Sequence, residues 1–129
     1  MLFVAFSAAL LPAQTLYWDL NGNTLGAGGT SPSETWSTGG SDKNWSTSST
    51  GTSGGNQKWT NDRYAVFSAG TDANGTFTVS VPGTVRTAGI TIEEGTPTFT
   101  GGTINFSDAS PDFVVNSGLI ATVNSVISG

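Results

Sequence analysis

The chain has 129 residues, enough for one domain, and only 10% of them are charged where about 25% is usual. The net charge is −5, and the four basic residues, Lys43, Lys58, Arg63 and Arg86, are scattered, which argues against nucleic-acid binding because that affinity rests on clustered cations. The absence of His and Cys removes the imidazole base, the thiolate nucleophile, disulfides and every Cys-based zinc site, and no cofactor is expected.

In chain order, residues 2–13 come first, uncharged and apolar from Leu2-Phe3-Val4 to Pro12-Ala13. The stretch is shorter than the roughly 20 apolar residues that span a bilayer. Its length matches the apolar core of a secretory signal, with Ala13 as the small residue before cleavage. No basic residue precedes it, so residues 1–13 read as a signal-peptide remnant whose true start lies upstream of Met1. The alternative is a buried first strand or helix.

The composition then switches abruptly. Residues 14–63 are polar and low in complexity, and Ser37 to Gly55 is almost entirely Ser, Thr, Gly and Asn. Trp18, Trp36, Trp45 and Trp59 punctuate this half at irregular spacing, so they form no helical stripe. Large rings among flexible turns suggest short strands or loops pinned by aromatic burial. Disordered chains lack such rings, which argues for a folded, β-rich body with glycine turns.

Strand patterning dominates 64–129. Thr76 to Val81 alternates strictly, placing Phe77, Val79 and Val81 on one face and Thr76, Thr78 and Ser80 on the other. Ile90 and Ile92 repeat the alternation, as do Ile104 and Phe106. Pro97 to Thr100, Phe113 to Val115, and Ala121 to Ile127 are further short strands. Gly-Thr recurs at Gly75, Gly83, Gly95 and Gly102, a turn-then-strand unit in series. Such a series builds either an antiparallel sandwich or a parallel solenoid. Strands of four or five residues, glycine corners, and Thr and Ser facing outward fit the solenoid better.

Ala65 to Thr76, Ala88 to Gly95 and Ala121 to Gly129 resemble the passenger domains of autotransporter-associated β-strand repeat proteins. Tyr17-Trp18-Asp19 followed by Asn21-Gly22 is similar to the mature N-terminus of such proteins. The resemblance implies an all-β fold: the start of a right-handed parallel β-helix with a tryptophan-containing cap over 14–63 and the first coils over 64–129. It also implies export to the cell surface, and downstream repeats and an outer-membrane anchor of the same chain as partners. Ser128-Gly129 falls where the family's repeats continue, so a truncated sequence is expected.

Three chemical features stand apart from this frame. Glu93-Glu94 is the only adjacent acidic pair, but neighbours in a strand point to opposite faces, so it reads as a solvated strand end rather than a hydrolytic pair. Asp19-Leu20-Asn21-Gly22-Asn23 has oxygen ligands at alternate positions, as a calcium loop does. Thr24 and Thr30 stand where the helix-loop-helix calcium pattern needs Gly and Glu, so the stretch reads as a turn and no metal is expected. The four tryptophans either cap a solenoid end or form a platform that stacks on host or matrix glycans. The functional expectation is therefore an exported, adhesin-like passenger segment with no catalysis of its own. The rivals are a carbohydrate-binding β module and the N-terminal part of a β-helical polysaccharide-degrading enzyme.

Overall fold

The computed structural model describes residues 1–5 and 12–129. The heart of the expected leader, 6–11, lies outside the described residues. Among the described residues the chain is all-β, with eleven strands and no helix. In chain order they are β1 (Thr15–Trp18), β2 (Glu34–Thr35), β3 (Trp45–Ser46), β4 (Arg63–Phe67), β5 (Thr76–Ser80) and β6 (Thr84–Ile92). These are followed by β7 (Thr96–Thr100), β8 (Thr103–Phe106), β9 (Asp112–Val115), β10 (Thr122–Val123) and β11 (Val126–Ser128). All four Gly-Thr units do the same thing: β5, β6, β7 and β8 each begin at the threonine.

The strands pair in parallel over long returns. Leu16 lies beside Ala65, Ala65 beside Ile90, and Ile90 beside Phe113, which joins β1, β4, the second half of β6 and β9. Phe77 pairs with Pro97, Val79 with Phe99 and Phe99 with Val123, which joins β5, β7 and β10, and β2 adds to the outer edge of β5. Val85 pairs with Ile104 and Ile104 with Ile127, joining the first half of β6 to β8 and β11. Beyond β2, each partner lies roughly 20 to 25 residues further along, the spacing of a structural repeat. Returns of that length are what parallel neighbours require, because a two-residue turn can only join antiparallel ones. Among the described residues the single antiparallel strand pair is β1 with β3, where Trp18 faces Trp45. The result is a mixed seven-stranded sheet and a parallel four-stranded sheet. Both β1 and β2 fall within 14–63, the segment expected to form a cap, and both pair in parallel with strands beyond it.

Burial follows the alternation. In β5, Phe77 and Val79 are buried while Thr76, Thr78 and Ser80 are exposed. The outward threonines form ladders, Thr76 beside Thr96 and Thr78 beside Thr98 and then Thr122. Corners stack as well as strands: Thr96 N–H donates to Gly75 O at 2.9 Å, and Thr103 N–H to Gly83 O at 2.8 Å. Gly95 has φ +69, and a Cβ there would overlap Ala73 O and lie 2.8 Å from Gly75 O, so the close approach of successive corners requires glycine.

Val79 and Thr78 are adjacent, one wholly buried and one exposed. Val79→Asp should cost several kcal/mol, because it leaves a carboxylate buried without a partner. Thr78→Asp should stay within about 0.5 kcal/mol. Denaturant melts of the two variants check this, and equal midpoints would contradict the assigned faces.

Candidate functional site

The four tryptophans gather into one aromatic cluster. Trp36 sits between Trp45 (5.4 Å between ring centroids), Trp59 (5.0 Å), Phe67 (5.7 Å) and Phe99 (6.3 Å), and Trp18 meets Trp45 edge-on at 5.2 Å. Such tilted and edge-to-face geometries add about 0.5–1.5 kcal/mol per pair beyond area burial. The Trp18 indole N–H donates to Pro32 O at 2.7 Å. Exposure is 0% for Trp18 and Trp36, 1% for Trp45 and 4% for Trp59. This corrects the idea of a surface stacking platform: no indole face is open to a sugar ring, because the polar half has few other apolar groups with which to build an interior.

Around this cluster the low-complexity loops are held by polar contacts. Asn56 Nδ2 donates to Asp19 O at 2.7 Å, Gly55 N–H to Asn23 Oδ1 at 2.7 Å, and Asp19 N–H to Asn44 O at 3.0 Å. Asp72 reaches back from the loop after β4. Its two carboxylate oxygens accept from Ala27 N–H at 2.6 Å and Gly29 N–H at 2.7 Å.

Asp72 belongs to an acidic corner with Asp19, which follows β1, and Glu94, which follows β6. Glu93 is exposed as a strand end should be, but Glu94 is half-buried and accepts from Ser68 Oγ at 3.3 Å. The expectation of a fully solvated pair therefore holds for only one of its members. Burial pushes the Glu94 carboxyl up to about 7, with the Ser68 hydrogen bond and a main-chain bond from Ala73 pulling it down and the charges of Asp72 and Glu93 adding to the rise. Burial likewise raises Asp19, against hydrogen bonds from the Asn21 and Gly22 amides, and Asp72 raises it further. Among the described residues no three acidic side chains converge closely enough to hold a metal by themselves. Nothing in the sequence flagged Asp72 or Ser68, since no local pattern links a loop residue to partners about 45 or 26 positions away.

A cleft of about 910 Å³ runs past Asp62, Arg63, Tyr64, Arg86 and Asp108. Some of its polar groups pair with one another. Arg86 pairs with Asp62 at 3.2 Å, and the Tyr64 hydroxyl donates to Asp108 at 3.3 Å.

The chain is similar to an autotransporter adhesin. It is 35% identical over 122 residues to the adhesin BmaC autotransporter of Brucella suis biovar 1 (strain 1330), a match that takes in 95% of this chain. The chain spans 3% of the length of that adhesin. No family model and no solved structure matches.

The Glu94 geometry has a direct consequence for stability. Its carboxyl titrates near 7 when folded against an ordinary 4.5, so the folded state binds the proton more tightly. The contribution is fully present below about 4.5 and is lost as the pH rises through about 7. The melting temperature of the wild type should therefore fall across that window relative to Glu94→Gln, which should be flatter. Parallel curves for the two proteins would contradict the buried setting of Glu94.

Proposed function

We propose that this chain is the N-terminal part of an exported, cell-surface, adhesin-like passenger of autotransporter type. In this reading it forms the start of a right-handed parallel β-helix and has no catalytic activity of its own. What carries the reading is parallel pairing repeated along the strand stacks, which turns Leu16, Ala65, Ile90 and Phe113 into a single column, in a chain similar along 95% of its length to an autotransporter adhesin.

Residues 1–13 then act as the export leader, 14–63 as a cap filled by the tryptophans, and 64–129 as the first coils. The last coil supports this. Phe113 (38% exposed), Val115 (37%) and Ile127 (49%) continue columns that are buried one coil earlier at Ile90, Ile92 and Ile104. A following coil of the same full-length chain is the natural cover for them, because each solenoid repeat buries its face on its neighbour. The outer-membrane anchor is assigned to that longer chain as well. Contact with host or matrix glycans would use the outward threonine ladders, whose hydroxyls point to solvent, rather than the buried indoles.

Antibodies raised against this segment should label intact, unpermeabilised cells of the source organism. Protease added to such cells should remove the signal. Labelling that appears only after lysis would contradict surface display.

A further inference from the structure

The cleft beside Tyr64 is built where β6 changes partners. Arg63 pairs with Thr87 and Tyr64 with Gly89, which leaves Ala88 as an extra residue on β6. Such a bulge bends its strand and re-aims side chains, and bulges gather beside functional sites. Before it β6 lies against β8 and after it against β9, and the connection between those two strands, at Ser107 to Ala109, lines the cleft. Thr87 is wholly buried and holds the bulge, its hydroxyl donating to Arg63 O at 2.8 Å. Asp62, also in the lining, has φ +66, a conformation uncommon outside glycine. Neighbouring contacts fix it there: Asp62 N–H donates to Arg86 O at 3.1 Å, and Arg86 N–H donates to Asn61 Oδ1 at 3.0 Å.

Gly89 shows what this geometry makes room for. It lies inside β6 without a positive φ, so its backbone does not require glycine. The space above it does: a Cβ there would lie 2.7 Å from Tyr64 Cε1 and 3.0 Å from Tyr64 Cδ1. Glycine inside a strand weakens it and often marks a close approach. Here it lets the Tyr64 ring lie against the outward side of the sheet, half-buried and lining the cleft. Polar groups stand around the ring. The Tyr64 hydroxyl donates to Asp108 Oδ2 at 3.3 Å, and Arg86 pairs with Asp62 at 3.2 Å while both side chains remain 51% exposed.

We propose that this cleft binds a neutral pyranose sugar, with the apolar face of the sugar ring on Tyr64 and its hydroxyls shared among Asp62, Arg86 and Asp108. A pyranose offers a face of C–H groups and a rim of hydroxyls. An aromatic ring takes the first by burial of its apolar body. Carboxylates and a guanidinium take the second through charge-assisted hydrogen bonds. The charges favour a neutral sugar over an acidic one. Arg63 and Arg86 against Asp62 and Asp108 leave the lining without a net charge to draw an anion, in a chain that carries −5. The volume, about 910 Å³, lies within the roughly 300–1,000 Å³ of ligand sites and leaves room for a few sugar units. The threonine ladders belong to the other sheet, so this is a separate surface, and binding here does not depend on where the chain is displayed. Pro12 and Ala13 also line the cleft, and their loss with a cleaved leader removes none of its charged or aromatic groups.

The test titrates the full 129-residue chain with β-linked trisaccharides of glucose, galactose and mannose, read by calorimetry and by saturation-transfer NMR. The wild type should bind at least one of them with a millimolar dissociation constant, with saturation passing to C–H protons on one face of a sugar ring. The uronic acid counterpart of that trisaccharide should bind several-fold more weakly. Tyr64→Ser should weaken binding about tenfold by removing the stacked ring, whereas Tyr64→Phe keeps the ring and should keep most of the affinity. A tyrosine that merely covers Gly89 would shift the melting temperature in Tyr64→Ser and leave sugar binding unchanged. Asp108→Ala, at an exposed position, should weaken binding several-fold with the melting temperature unmoved, and it carries the test if Tyr64→Ser fails to fold. The proposal is overturned if none of the three trisaccharides binds into the tens of millimolar, if the acid binds as tightly as the neutral sugar, or if either variant binds as the wild type does.

Discussion

The rest of the structure depends on one constraint, the stacking of inward side chains from one strand onto the next across parallel pairs. Leu16 on Ala65 on Ile90 and Val79 on Phe99 are contacts between residues far apart in sequence that share a column. Burial of each column member also draws on the facing sheet, where Phe67 of β4 meets Phe99 of β7 at 5.0 Å between ring centroids. This explains why so polar a chain can fold. Alternation sends every second residue outward, so threonines and serines occupy half of each strand without entering the interior. It also explains the glycines at the corners, where successive turns approach so closely that a Cβ at Gly95 would strike the turn at Ala73 and Gly75.

The N-terminal half meets the same constraint by a different route. Its loops carry too few aliphatic residues to form columns, and four indoles fill the space instead. Trp36 links Trp45 and Trp59 in the polar half to Phe67 in β4 and Phe99 in β7. Fully burying rings of this size supplies the apolar area that a Ser, Thr and Gly segment otherwise lacks. The surrounding loops then order through main-chain and side-chain hydrogen bonds such as Asn56 to Asp19 O. The acidic corner is a by-product of the same stacking, because turns that follow equivalent strands bring Asp19, Asp72 and Glu94 close enough for their charges to interact.

Local pattern made much of the second half legible. The strict alternation from Thr76 to Val81 and the four Gly-Thr units gave strand faces and starts that the structure reproduces. Pairing was harder to read. β6 runs nine residues and changes partners midway, from β8 at Thr84–Thr87 to β4 and β9 further on, while its sequence displays only the alternation at Ile90 and Ile92. Periodicity shows which face a residue takes and says nothing about which distant strand lies beside it. The burial of the tryptophans and of Asp19 was hidden for the same reason, since both arise from loops folding over one another. Glu94 looked like a strand end beside Glu93, and its half-buried setting includes Ser68, which follows β4 and lies 26 residues earlier.

An interior built from columns accounts for the tolerance of low-complexity sequence, because only the inward half of each strand must be apolar. The parallel register is the claim on which this rests. The chain has no cysteine, so paired substitutions report on it cleanly. Thr78 and Thr98 are register partners on the outward face of β5 and β7, and neighbouring strands place such partners within the 4.4–6.8 Å Cα span of a disulfide. Under mild oxidation Thr78→Cys with Thr98→Cys should close an intramolecular disulfide readily, and Thr78→Cys with Thr100→Cys should close far more slowly. Equal rates, or faster closure of the second pair, would contradict the parallel register.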